Sequence, residues 1–460
     1  MKVLLLSIGL IVLTLSPAIA TTWLVLPDGS GDFPTLLDAV AGAAAGDVIE
    51  LGNGVFAGDG NRDIEVGQAL TLRSQSGDPA ACVIDCEGNA AEPHRALALR
   101  GAQASVTIEG IGFRNGYADG SNLEDGWGGA VLCAEASAAA FFDCRFENCT
   151  AFHVGGAIGE DRCADFLVEG CDFVACASGD DGGAVGAAYA GEFAMRQCRV
   201  ESTEILDGNG AAVYLELEHP NTIARVEDCE FLDNGVGGLY VGSSPCVIRR
   251  CQFLRNAQGG ARLYGGLVSG LIEDSVFASN TGGCALELSA FIPDDQTPGV
   301  KVFRCLFAEN SGGSSTVRLW NVPGWIADCT FWGNQAPQTV FLRAESSFSF
   351  DWAGLLERVI IEPGAATEVI HCEDNPHPFA IHCSDLVGGW TGCAADWLGV
   401  EGNIDADPMF CDPAAGDFTL HASSPCYAIN SGCGTMGAYD VGCGSTGVDD
   451  ASFSAIKALY

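Results

Sequence analysis

One short string, rewritten through most of the chain, restricts the fold more than any other feature. It reads "DCRFENC" (143–149), "GCDFVAC" (170–176), "DCEFLDN" (228–234), "RCQFLRN" (250–256), "RCLFAEN" (304–310) and "DCTFWGN" (328–334). Aligned on Cys-x-Phe, the equivalent positions are Ile111, Cys144, Cys171, Cys198, Cys229, Cys251, Ser275, Cys305, Cys329 and Val359, at steps of 33, 27, 27, 31, 22, 24, 30, 24 and 30 residues. Two residues on stand Phe113, Phe146, Phe173, Val200, Phe231, Phe253, Phe277, Phe307, Phe331 and Ile361, and three further on Asn234, Asn256, Asn280, Asn310 and Asn334. Glycine pairs open short apolar segments at 128–131, 155–158, 182–185 and 237–240.

A unit of this length with fixed apolar segments and variable loops is the mark of a solenoid. Cys and Phe two residues apart share one face of a strand. No helix-period segment separates the copies, so the expected fold is all-β, a parallel β-helix. Ten marked coils give nine steps, a length of about 43 Å at ~4.8 Å per step. Cysteine suits a narrow interior and phenylalanine fills the space beside it. Asparagine is expected at the turn in the left-handed region, with an amide ladder as a further use, and Gly-Gly where the chain bends. The charged neighbours support stacking. Asp228, Arg250, Asp274, Arg304 and Asp328 precede the inward position, and Arg145, Asp172, Arg199 and Glu230 follow it. Both series alternate in sign, as groups on adjoining coils must to avoid like-charge contact.

The ends read differently. Residues 1–20 carry Lys2, an apolar run from Val3 to Leu15 and an Ala-Ile-Ala end, the pattern of a secretory leader too short for a membrane span. The mature chain is expected to be exported, soluble and monomeric, without a transmembrane segment. Residues 33–45 read as a short amphipathic helix capping the first coil. Seven cysteines fall irregularly between 371 and 444, and disulfides are expected there, Cys372–Cys383 among them; His371 and His382 beside these two make zinc the alternative. The expected division is 1–20 leader, 21–385 β-helix with its N-terminal cap, 386–444 cysteine-rich terminal coils and cap, and 445–460 a tail. That tail suits a short helix with Asp450 as cap, or a sorting segment. The net charge of −39, from 21 Lys and Arg against 60 Asp and Glu, turns away nucleic acid and anionic membrane and favours divalent cations.

Phe-x-x-Asn with Gly-Gly-Ala-(Ile/Val), over 128–334, resembles the repeat of the chlamydial polymorphic membrane proteins, which are surface β-helix adhesins. The chain differs from them in having no carboxy-terminal stretch long enough for an outer-membrane barrel. "LPDGSGDFPTLLDAV" (26–40) and "NIDADPMFCDPAAGDFTL…SSPC…GAYDVGC" (403–443) look like a broad class of exported bacterial β-helix proteins of the pectin-lyase-like fold. That resemblance, with the general preference for right-handed crossovers, implies a right-handed parallel β-helix. It also brings in lyases, hydrolases and esterases of acidic polysaccharides. Residues 26–40 are similar to the start of pectin methylesterases, whose later signatures are missing. Of the polygalacturonase strings only "GDDGG" (179–183) is present.

The best constellation for chemistry lies just before the glycine pairs. Counting back two gives Gly126, His153, Asp180 and Asp207, with Asp125 and Asp181 adjacent. Stacking would set His153 between Asp125 and the Asp180–Asp181 pair. Carboxylates beside an imidazole suit acid–base work, for which His153, Asp180 and Asp181 are the candidates. They also suit a divalent cation, calcium first, for which Asp125, Asp180, Asp181 and Asp207 are the candidates. Asp is equally at home in solvated turns, the reading preferred here. Six of the eight tryptophans fall late, at Trp320, Trp325, Trp332, Trp352, Trp390 and Trp397. Exposed they would stack on sugars; buried they would close the last coils, which is preferred. Since fold does not confer activity, the expected function is non-enzymatic: an acidic surface for adhesion or for binding carbohydrate or a cell-surface ligand. A polysaccharide lyase or glycoside hydrolase is the alternative.

Overall fold

The computed structural model describes residues 20–444, apart from 121–124, 207–209, 218–221, 267, 292–298, 346–353 and 374–377. All of the leader but its last residue, the tail and Asp207 lie outside the described residues. The chain is an all-β parallel solenoid. Each coil gives one strand in turn to three long sheets, as Ala138–Phe142, Arg145–Glu147 and Ile158–Asp161 do in one coil. Among the described residues the first sheet has 14 strands, the second 13 and the third 12, each paired coil to coil, and a four-stranded sheet of two-residue strands sits at one corner. In the second sheet Phe113 pairs in parallel register with Phe146, and the column continues through Phe173, Val200, Phe231, Phe253, Phe277, Phe307, Phe331 and Ile361. The nine repeat steps are therefore the nine hydrogen-bond registers.

Three columns fill the interior beside this sheet. Phe113, Phe146 and Phe173 stack at 5.0 Å with planes within 8°. After Val200 the stack resumes, and Phe231, Phe253, Phe277, Phe307 and Phe331 follow at 4.7–4.9 Å. The second column holds Cys144, Cys171, Cys198, Cys229, Cys251, Ser275, Cys305 and Cys329, all buried. Each thiol bonds backward, as Cys171 Sγ does at 3.7 Å from Phe141 O of the coil before, and at Cys144, Cys251 and Cys305 the N–H also reaches forward, Cys144 N donating to Cys171 Sγ at 3.4 Å. Burial holds the Cys171 and Cys229 thiols well above their ordinary pKa, so they sit in the core as soft, protonated packing groups.

The third column corrects the expectation for asparagine. The residue before each one takes the left-handed backbone, at Asp233 (φ 51°), Arg255 (56°), Ser279 (55°) and Glu309 (54°). The asparagine then turns inward and is buried. Asn256 Nδ2 donates to Phe231 O and to Asn280 Oδ1, each at 3.0 Å, and Asn256 N donates to the same Oδ1 at 3.0 Å. Asn280 and Asn310 repeat the pattern, Asn334 ends it by accepting from Asn310 and donating to Phe307 O, and Thr203 starts it by donating to Asn234 Oδ1 from both N and Oγ1. The turn supplies the strain and the buried amide satisfies the backbone there, which one exposed asparagine at the αL position could not do.

Outside, the alternating charges meet. Arg250 grips Asp228 at 2.5 and 2.7 Å, Arg304 grips Asp274 at 2.6 and 2.9 Å, and Arg358 grips Asp328 at 2.6 and 2.9 Å. These residues all have φ between 51° and 57°, so the pairs offset part of the cost of left-handed, non-glycine backbone. Being half-exposed, each contributes little to stability by itself.

The N-terminal helix spans Leu36–Gly42, shorter than expected, with Thr35 Oγ1 accepting from Asp38 N at 3.1 Å. It buries Leu36, Ala39 and Val40 on the first coil. At the other end the disulfides are Cys372–Cys393, Cys383–Cys433 and Cys411–Cys443. The expected Cys372–Cys383 bond is not among them. Cys372 ends a strand of the third sheet (Glu368–Glu373), while Cys383 follows one of the first (Phe379–His382), so the two leave different sides of the tube and each ties to the cap. No thiolate remains beside His371 or His382 for zinc. The cap then runs back over the second sheet, where Phe418 meets Trp332 at 5.5 Å and Ala438 N donates to Thr330 Oγ1 at 2.9 Å. Cys426 stays free and buried, its thiol 3.1 Å from Asp385 Oδ2.

Besides the cysteines, a carboxylate points into the tube. Glu160 lies in register between Cys133 and Ala187 and is 0% exposed. Its Oε1 accepts from Cys163 N at 2.6 Å and its Oε2 has no hydrogen-bond partner. Burial raises its pKa well above the ordinary value. Asp385 is likewise pushed up, to about 6.

Three outcomes follow. Asn280→Ala removes four ladder hydrogen bonds, among them the acceptor of Asn256 N, and is expected to cost about 2–4 kcal/mol; Arg250→Ala should cost less than about 1 kcal/mol, both read from urea unfolding. A raised acid pKa in the folded state means stability fully present below the unfolded value of about 4.3 and lost as pH rises through the folded one. The midpoint advantage of Glu160→Gln over the parent should therefore grow between about pH 4 and pH 8, measured by calorimetry. Peptide mapping without reductant should yield the three linked pairs, with Cys426 alkylated only after denaturation.

Candidate functional site

The acidic turns stack as the repeat dictates. His153 N donates to Gly126 O at 2.9 Å and Asp180 N donates to His153 O at 2.9 Å. The imidazole lies over Gly126, where a Cβ would come within 2.5 Å of it. His153 Nδ1 meets Asp180 Oδ2 at 2.7 Å, and Phe152 stands edge-on to the ring at 4.8 Å. Asp181 is half-buried, and burial together with the neighbouring Asp180 raises its pKa. The structure thus brings together His153, Asp180 and Asp181. Asp125 is turned to Arg100 at 3.9 Å, and its carbonyl accepts from Arg95. Among the described residues no three His, Cys, Asp or Glu side chains stand close enough to hold a metal ion.

These turns roof the outer face of the third sheet. Trp127 covers Gly159, whose added Cβ would meet Trp127 Cβ at 2.9 Å, and Val154 covers Gly186 at 2.1 Å. Only glycine leaves room for a loop pressed so close to the strand. Past Asp181 the roof gives way to open strands. Strand parity then sets two outward rows in parallel register. The first is Tyr214, Tyr240, Arg262, Glu287, Arg318, Phe341 and His371, and the second Glu216, Gly242, Tyr264, Ser289, Trp320, Arg343 and Glu373.

The rows form one connected surface. Tyr214 and Tyr240 stack at 4.6 Å. Arg262 Nε and Arg318 Nη1 reach the two carboxylate oxygens of Glu287 at 3.5 and 3.8 Å. The Arg318 guanidinium lies 4.3 Å from the Trp320 ring and 5.4 Å from Phe341, and Arg343 lies 4.7 Å from Trp320. Phe341 stacks on His371 at 5.6 Å, and His371 Nδ1 meets Glu368 Oε2 at 2.6 Å. Burial and nearby carboxylates push the Tyr240 hydroxyl up to about 12 and the Tyr214 hydroxyl higher still, so both stay protonated donors. Two clefts open here. One of about 350 Å³ has a floor of Gly237, Gly259, Gly260, Gly282 and Gly283 under Tyr240 and Arg262. The other, about 420 Å³, lies between Tyr264, Phe291 and Trp320. The tryptophans divide accordingly: Trp320 faces this surface, while Trp332 packs beneath the cap.

Sequence reading stopped at the glycine pairs and missed this face. Its signal was legible just beyond them, in "LYVG", "ARLYG", "LELS", "VRLW" and "VFLR". There every second residue is apolar and the others, Gly242 and Ser289 apart, are aromatic or charged.

Residues 200–339 match the sequence family described as "Right handed beta helix region", which gives the hand of the solenoid. No curated protein matches the chain. Similar solved structures include a mannuronan C-5 epimerase A-module from Azotobacter vinelandii, 16% identical over 81% of this chain and 93% of that one, TM-score 0.36. A pectate lyase is 11% identical over 92% and 98%, TM-score 0.40. PfbA, a surface adhesin of Streptococcus pneumoniae, is 8% identical over 77% and 85%, TM-score 0.36. At these values the likenesses carry no argument about what this chain binds.

Proposed function

We propose that this chain is an exported, non-enzymatic β-helix that binds glycan along the open outer face of the third sheet. The observation that carries the reading is the pair of registered rows from Tyr214 to Glu373, in which rings and hydrogen-bonding groups repeat at the coil spacing. Sugar rings present apolar C–H faces that pack on aromatic planes, and hydroxyls that pair with carboxylates, guanidinium groups and bare peptide. The other two sheets suit the task less. The second is partly covered by the cap, and the first carries charge rungs such as Glu169–Arg196–Glu227–Arg249–Glu273. Three disulfides and a leader-like start support an oxidising destination, secreted or at the cell surface.

A second reading, a lyase or hydrolase, is favoured by His153, Asp180 and Asp181, because they sit at the upstream end of the same face, where Asp181 bears electrostatically on Tyr214. An imidazole held by a carboxylate is a competent base, and an acid with a raised pKa is a competent proton donor.

Affinity electrophoresis through gels holding individual polysaccharides tests the first reading. At least one polysaccharide should retard the protein, and the Tyr240→Ala/Trp320→Ala double variant should run at its unretarded mobility. Retardation unchanged in that variant counts against this face. New reducing or unsaturated ends, lost in Asp180→Asn, would instead establish the second reading.

A further inference from the structure

Resting on the glycan-binding reading above, we infer that this face selects an uncharged polysaccharide and turns carboxylated ones away. Capture of a uronate needs a guanidinium with its fork free for the carboxylate. On this face each arginine is already within 4 Å of a carboxylate: Arg262 and Arg318 on Glu287, and Arg343 on Glu373 at 3.5 Å and Glu345 at 3.8 Å. Arg318 and Arg343 also sit 4.3 and 4.7 Å from the Trp320 ring, a second contact that each would have to give up to swing out to a ligand.

The field works in the same direction. Three arginines on the face stand among Glu216, Glu287, Glu345, Glu368 and Glu373, with Asp181 at its upstream end. Behind them the whole chain carries −39. At physiological salt such fields extend about 8 Å, enough to reach a chain lying in the clefts. A polyanion therefore meets repulsion on approach and no unpaired cation on arrival.

What the face offers is chemistry without net charge. Tyr240, Tyr264 and Trp320 present ring faces or edges along three coil steps, about 14 Å at ~4.8 Å each, the reach of a short oligosaccharide lying parallel to the solenoid axis. In the glycine floor Gly237, Gly282 and Gly283 are at least partly open and carry no side chain, so a sugar can lie close to the backbone there. Glu287, fixed between two arginines, is an acceptor held in place for sugar hydroxyls.

Titration calorimetry of the full chain decides the matter. The ligands are neutral β-linked glucan, xylan and mannan hexasaccharides, and galacturonate and alginate hexasaccharides, each at about 20 mM and about 300 mM salt. At least one neutral oligosaccharide should bind, with affinity changing less than about twofold between the salts, since no counterions are released. Trp320→Ala and, at the more exposed position, Tyr264→Ala should each weaken it about tenfold, with the unfolding midpoint unchanged in Tyr264→Ala. Uronates should bind at least about tenfold more weakly, or not at all. A uronate that binds as tightly as any neutral sugar, weakens with salt and is lost in Arg318→Gln would overturn this inference and leave glycan binding standing. Failure of every oligosaccharide to bind would overturn both.

Discussion

Everything inside this tube depends on one arrangement: an inward polar or soft side chain that donates to a backbone carbonyl of the coil before, while its oxygen or sulfur accepts from that same coil. Asn256 shows it in full. Its amide donates to Phe231 O on one side, and its N–H and amide both reach Asn280 Oδ1 on the other. In the earlier coils Cys149 and Cys176 hold the asparagine position with a weaker donor, Sγ facing Phe113 O and Phe146 O, and Thr203 stands between them and the asparagines. The turn before each of these residues is left-handed and leaves backbone groups that strand pairing cannot reach. A ladder of identical side chains answers that need once per coil, in the nearest-neighbour manner of solenoids.

The outside follows from the inside. Once a coil's register is set by its cysteine, phenylalanine and asparagine, strand parity decides which residues of the third sheet face out. A slip of one residue would send Tyr240, Arg262 and Trp320 inward and their leucine and valine neighbours outward. The ion pairs Asp228–Arg250 and Asp274–Arg304 mark the same register from the solvent side. They are placed to punish a wrong stacking more than to hold the right one, because like charges would then meet.

The fold was legible because its constraints repeat. One Cys-x-Phe proves nothing, but ten copies that fall into hydrogen-bond register fix a column. The partners of the cap cysteines were not legible, since three-dimensional path and not spacing brings Cys372 to Cys393 and Cys383 to Cys433. Asparagine was placed on the wrong residue of its turn because propensity favours αL asparagine; burial and the ladder overrode it here. The pairing of His153 with Asp180 could be read from a 27-residue step. The turning of Asp125 to Arg100 could not, because a variable loop sets it. The open face escaped notice because its residue types differ from coil to coil, and only their parity is conserved along the tube.

The account stands or falls on contact between side chains that are far apart in sequence. A double-mutant cycle on Asn256 and Asn280, 24 residues apart, tests it most directly. Replacing each by alanine singly and together, and reading unfolding free energies, should give a coupling of at least about 1 kcal/mol, because each single change strands the other's amide. Strictly additive effects, with coupling indistinguishable from zero, would mean that the two amides do not meet, and the ladder and the face it positions would fall together.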